Sequence, residues 1–147
     1  MMEKHDNQIT LIMESRSQNE ALARTAVAAF IAPLDPGLDI LTDVKTAVSE
    51  AVTNAIIHGY GNTLGEVILA MTIKGSRLRI TVSDHGAGIS DIHLAMEPLY
   101  TTAKPEMERA GMGFTVMESF MDRVTVTSSP GKGTTVELTK DLKSGAS

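Results

Sequence analysis

Cysteine and tryptophan are absent from the chain, and aromatic residues are only 3% of its 147 positions. Without thiols there is no disulfide framework and no thiolate metal site, and a reducing cytoplasm suits such a sequence. The core must come from Ala, Val, Ile and Leu, helped by nine Met whose unbranched side chains fill irregular gaps. Basic tracts are missing too, and the formal net charge is −5. A nucleic-acid partner, which needs clustered Lys and Arg against phosphates, is therefore not expected. No apolar run reaches the roughly 18 residues that suggest a membrane helix, and the first residues, MMEKHDNQ, hold no apolar segment of a signal peptide. With 42% hydrophobic residues the chain can bury a sizeable core. It reads as a single domain over 1–147, with the tail from Lys140, and 141–147 above all, frayed.

Asp43 to Gly59, DVKTAVSEAVTNAIIHG, is the most regular stretch. Val44, Ala47, Val48, Ala51, Val52, Ala55 and Ile56 recur at helical steps and predict one buried stripe. Glu50, Asn54 and His58 form a ladder along the same helix. At about 100° per residue that ladder lies beside the apolar stripe, where a carboxylate and an amide are partly shielded from water. Such a place suits a base and a metal ligand. Gly59 is positioned to close the helix in a left-handed conformation.

Around this helix the chain alternates in type. Gln8 to Met13 reads as a strand. Ser17 and Glu20 have capping-box spacing ahead of a helix from about Gln18 to Ile31, expected to bury Leu22, Ala26, Ala29 and Phe30. Glu66 to Ile73 and Arg77 to Asp84 read as strands, the second with Leu78, Ile80 and Val82 on its core side. Asp91 to about Met96 reads as one or two helical turns, and Pro98 to Ala110 as a long loop. A helix from Gly111 to about Asp122 should turn Val116, Met117, Phe120 and Met121 inward, before a hairpin of Arg123 to Ser128 and Thr134 to Thr139. This order predicts an α/β (α+β) two-layer sandwich, a mixed, mainly antiparallel sheet with helices on one face.

Three further places could carry chemistry. Asp84-His-Gly86-Ala-Gly88 ends a strand: the carboxylate can accept a hydrogen bond from an exocyclic amine, and the glycines let backbone approach a flat ligand. Gly111-Met112-Gly113 opens a helix whose free N–H groups suit phosphates. Arg109 and Lys104, with Thr101 and Thr102, lie in the loop just before it, within reach of a terminal phosphate. Taken one at a time, each of these also fits a plain turn, a flexible helix start or a solvated loop. No Gly-Lys-Ser/Thr follows at P-loop spacing, and His58, His85 and His93 show no metal-ligand spacing.

Taken together and in this order, the four elements resemble the ATPase fold shared by gyrase, heat-shock chaperones and sensor histidine kinases, the GHKL superfamily. The segments VKTAVSEAVTNAIIHGY, EPLYTTAKPEMERAGMGFTVMESFMD and GKGTTVEL are similar to the anti-sigma F factors of spore-forming bacteria. Those are small serine kinases that also hold a sigma factor inactive. The resemblance spans nearly the whole chain, and it implies a GHKL-type, histidine-kinase-like fold and an ATP- and Mg²⁺-dependent kinase. It implies Asn54 as the Mg²⁺ ligand, Glu50 as the catalytic base or the group that orients the attacking hydroxyl, and Asp84, Gly86, Gly88 and Thr134 at the adenine. It implies Gly111, Met112 and Gly113 with Thr101 and Thr102 at the phosphates, and Arg109 closing on the terminal phosphate.

The partners implied are a sigma factor of the sigma-F type and an anti-anti-sigma protein whose serine is phosphorylated, which compete for overlapping surface, and Arg24 matches a partner-contacting arginine of the family. A cytoplasmic homodimer with Gln8 to Met13 near its interface is implied as well. The sequence departs from the family at Ala103, one residue more than the pattern between Thr102 and Lys104, and at Ala110, where Ser is expected. Both bear on the loop rather than on the nucleotide pocket. They leave room for two other readings, a stress-response-branch anti-sigma kinase and a nucleotide-binding sequestering module with negligible kinase activity. The ATPase part of a sensor histidine kinase fits less well, because no autophosphorylation helix pair is readable ahead of Gln8.

Overall fold

Five strands pair in the order β1-β2-β3-β5-β4, antiparallel throughout. They are β1 (Asn7–Glu14), β2 (Glu66–Lys74), β3 (Arg77–Asp84), β4 (Arg123–Ser129) and β5 (Gly133–Asp141). The computed structural model describes residues 6–88 and 105–143, the side chains of 105–111 excepted. The period-two patterns of β2 and β3 put Val67, Leu69, Met71 and Ile73 with Leu78, Ile80 and Val82 on one buried face. Three helices cover that face: α1 (Asn19–Ile31), α2 (Leu38–Asn54) and α3 (Pro105–Phe120), with α2 packed between the other two. The two-layer sandwich is as expected from the sequence, but no parallel pair makes the described sheet mixed. Among the described residues no helix is long and apolar enough to cross a membrane.

α2 begins at Leu38, five residues before the expected Asp43. Pro36-Gly37 ends the preceding segment, Gly37 is extended, and its carbonyl accepts the Leu41 N–H at 2.9 Å. Ile40 then extends the stripe one turn back from Val44, and both are buried. The far end also differs from expectation. The helix widens into a π-helical turn, Ala55–Tyr60, and Gly61, at φ 58°, ends it. Gly59 therefore does not close the helix; it is glycine because a Cβ there would lie 2.8 Å from the Asp84 Oδ1.

Other expectations shift for local reasons. No side chain caps α1, whose N-cap is Gln18 rather than the expected Ser17; between Ser17 and Glu20 only the backbone bonds, at 3.2 Å. The buried stripe of α1 is Ala23, Val27, Phe30 and Ile31, whereas Leu22 and Ala29 are exposed and Ala26 is half-buried. In α3 the buried residues are Phe114 and Met117, with Met121 just beyond the helix, while Val116 and Phe120 are half-buried. α3 starts at Pro105, so 105–110 of the expected loop are helical. The tail is ordered further than expected: Lys140 and Asp141 pair with β3, and Leu142 is buried with its N–H on the Ser76 carbonyl at 2.8 Å. The expected turns at Asp91 to Met96, the loop residues 98–104 and the tail beyond Lys143 lie outside the described residues.

Candidate functional site

Glu50 and Asn54 stand one turn apart on α2, half-buried beside its apolar stripe as their spacing predicts. α3 crosses them at Gly113. A Cβ on Gly113 would lie 2.9 Å from the Asn54 amide nitrogen and 3.2 Å from a Glu50 carboxylate oxygen. Only glycine lets the two helices meet with both polar groups at the seam. Among the described residues the Asn54 amide nitrogen, buried there, has no hydrogen-bond partner. A buried amide left unpaired costs about 1–3 kcal/mol, which marks it as a candidate ligand-binding group. Turning the amide exchanges its oxygen and nitrogen without changing its shape, so the site can offer an acceptor to a cation.

Asp84 closes the other side of the same hollow. It is the last residue of β3, buried, and paired across the sheet with Thr134 of β5. Burial raises its pKa above the ordinary carboxylate value, partly offset by backbone N–H groups of Gly86 and Thr134 and by nearby His85. The Gly86 N–H donates to Oδ1 at 2.9 Å. A buried carboxylate beside open space is poised to accept from a neutral amine. Asn54, Asp84, Gly88 and Thr134 line one cleft, with His58 and Gly59 on the π-turn and Phe114, Val82 and Val136 as its apolar floor. An apolar lining with few polar groups at its edge is the usual form of a small-molecule pocket.

The loop after Asp84 is fixed by backbone. Ala87 N–H donates to the Gly59 carbonyl at 2.8 Å, and Gly131 N–H donates to the Ala87 carbonyl at 2.7 Å. Gly86 passes so close that a Cβ would fall 2.0 Å from the Gly59 carbonyl oxygen, and Gly88 has φ 76°. Tyr60 completes the clamp: its hydroxyl accepts the His85 N–H at 2.8 Å and donates to the Glu66 carbonyl at 2.6 Å. Sequence reasoning missed Tyr60 as part of the site. Its signal was position alone, directly after the ladder in a chain with two tyrosines.

Other expected site residues fall differently. Gly111 and Gly113 lie inside α3 rather than at its first turn, because the helix starts at Pro105. Met112 is 68% exposed, on the side away from the core. Arg109 and Ala110 belong to the backbone of α3, and their side chains lie outside the description. Thr101, Thr102, Ala103 and Lys104 lie outside the described residues. Arg24 is on α1, away from the cleft, ion-paired to Glu20 with Nε at 2.9 Å. Among the described residues there is no group of three or more His, Asp or Glu able to hold a metal ion by themselves. A magnesium ion takes few protein ligands when it is shared with substrate phosphates, and the single amide of Asn54 fits that arrangement.

Residues 13–140 match the model of the histidine kinase-like ATPase domain. An anti-sigma F factor from Clostridium kluyveri is 56% identical over 140 residues, 95% of this chain and 98% of that protein. An anti-sigma F factor from Bacillus subtilis is 55% identical over 137 residues, 92% of this chain and 93% of that protein. Among solved structures, the RsbU and RsbW domains of a Mycobacterium tuberculosis protein share the fold with a TM-score of 0.67 at 19% identity, over 92% of this chain and 32% of that one. A blue-light activated histidine kinase from Erythrobacter litoralis shares it with a TM-score of 0.52 at 24% identity, over 74% of this chain and 32% of that one.

Proposed function

The chain belongs to the histidine kinase-like ATPase family, and within it to the anti-sigma F factors, and on that premise we propose that it sequesters a sigma factor and phosphorylates a serine of that factor's antagonist. The observation that carries this reading is the seam at Gly113, where a carboxylate and a buried, unpaired amide stand together at the edge of the Asp84 cleft.

Phosphoryl transfer asks for alignment and charge neutralisation more than for covalent help. Asp84 would accept the exocyclic amine of adenine, with Gly86, Gly88 and Thr134 shaping that end and Phe114 lining the cleft. Asn54 would hold Mg²⁺, which would supply charge neutralisation on the phosphates of ATP. Gly111, Met112 and Gly113, with Thr101 and Thr102, line the phosphates, and Arg109 approaches the terminal one. Glu50 takes the proton of the acceptor serine as its oxygen bonds to phosphorus and the bond to the ADP oxygen breaks. A positioned base contributes about 10²- to 10⁴-fold, so Glu50 separates catalysis from binding. Arg24 meets the protein partners. The chain works in the cytoplasm as a homodimer, with β1 as the edge nearest the second copy; an open edge strand is a natural pairing surface. The test is transfer of labelled phosphate from ATP with Mg²⁺ to a purified anti-anti-sigma protein. Transfer by the native chain supports the kinase reading. ATP binding and sigma capture without transfer leave a sequestering protein instead.

A further inference from the structure

Glu20 is spent on neither capping nor the nucleotide cleft. Its two carboxylate oxygens are divided between two helices. Oε2 accepts the Arg24 Nε at 2.9 Å within α1, and Oε1 accepts a short hydrogen bond from the Ser49 hydroxyl of α2. Ser49 adjoins Glu50 in the chain. Glu20 is mostly shielded, its side chain 23% exposed, while that of Arg24 is 43% exposed. The ion pair engages one edge of the guanidinium. Among the described residues the two terminal amino groups of Arg24 make no hydrogen bond.

An exposed ion pair of this spacing adds little to stability. Its geometry has a clearer use. An arginine held by Nε keeps its terminal amino groups side by side, as a fork that matches a carboxylate. Without the hold, several rotamers must be frozen on binding. The Ser49 bond adds a second constraint: it ties the carboxylate, and so the arginine, to the helix that carries Glu50. Resting on the kinase reading above, we propose that Glu20, anchored by Ser49, is a positioning residue that presets Arg24 for a carboxylate side chain on the protein that is phosphorylated.

Steady-state phosphorylation of the purified antagonist, with varied protein substrate and saturating ATP, tests this on Glu20→Ala, Ser49→Ala, Arg24→Ala and the double variant Glu20→Ala/Arg24→Ala. Freezing a long side chain on binding predicts that Glu20→Ala raises KM for the protein about 3- to 10-fold, with kcat and the KM for ATP unchanged. Ser49→Ala gives a smaller rise, Glu20→Gln recovers part of the loss, and Glu20→Ala adds nothing once Arg24 is Ala. Equal melting temperatures for native and Glu20→Ala chains separate positioning from folding. Three results overturn the proposal: an unchanged or lowered KM in Glu20→Ala, additive losses in the double variant, or a loss of kcat alone. A native chain that binds the antagonist but transfers no phosphate fails the kinase reading itself and removes the proposal with it. A rise in KM for Arg24→Ala alone keeps that reading and rejects only the role of Glu20.

Discussion

Asp84, proposed to hold the adenine amine, carries a cost to stability. Its folded pKa is raised, chiefly by burial. The folded protein therefore keeps this proton at pH values where the unfolded chain, near 3.8, has released it. Stability from this group falls as pH rises from 3.8 through the folded value, and is flat above it. Replacing Asp84 with Asn removes that penalty. Asp84→Asn is expected to be at least as stable as the native chain at neutral pH in urea melts, and to lose this part of the decline with rising pH. ATP affinity in the same variant should fall about 10- to 100-fold, because a hydrogen bond to a charged group is worth about 1.5–3 kcal/mol. Parallel loss of stability and affinity would instead mean that Asp84 is a fold residue. Tyr60 works in the opposite sense. Its hydroxyl joins the His85 N–H to the Glu66 carbonyl, so Tyr60→Phe should cost about 1 kcal/mol of stability and loosen the Asp84 loop. Isothermal titration would register the latter as a several-fold weaker ATP affinity.

At the scale of elements, the proposed function turns on the α2–α3 seam. Gly113→Ala gains up to about 1 kcal/mol of helix propensity, but its Cβ must displace the Asn54 amide or the Glu50 carboxylate. Both are ends of flexible side chains, so the two effects nearly cancel in stability. The expected variant melts within a few degrees of the native chain and loses at least about tenfold in phosphoryl transfer. Unchanged transfer would mean that the seam is not the reacting centre. Elements were legible in the sequence to unequal degrees. The α2 stripe and the β2–β3 alternation follow from period alone, so Glu50, Asn54 and Asp84 stand where the pattern places them. The π-turn was not legible, because its cause is tertiary: the Ala87 N–H reaches the Gly59 carbonyl, and Gly59 faces Asp84. The start of α3 was misread for a related reason. Gly111 and Gly113 look like punctuation, whereas Gly113 is a close-contact residue inside a helix. The buried side of α1 was also misjudged, since Leu22 yields its place to Ala23 and Val27.

For the molecule as a whole, the sheet has one face under helices and an edge at β1. Ile12 on that edge is 65% exposed and pairs in register with Ile68. If β1 meets the second copy, Ile12→Lys should shift the protein toward monomer in light scattering, with its melting behaviour nearly intact. An unchanged dimer would place the interface elsewhere. The central claim is that one cleft binds ATP while Glu50, at its α3 seam, drives transfer to a protein serine. Labelled phosphate transfer to an anti-anti-sigma protein, with Mg²⁺, measured for the native chain, for Glu50→Ala and for an acceptor Ser→Ala, tests it most directly. The account predicts transfer by the native chain only, a loss of about 10²-fold or more in Glu50→Ala, and ATP affinity preserved in that variant. Transfer by Glu50→Ala at the native rate would contradict it.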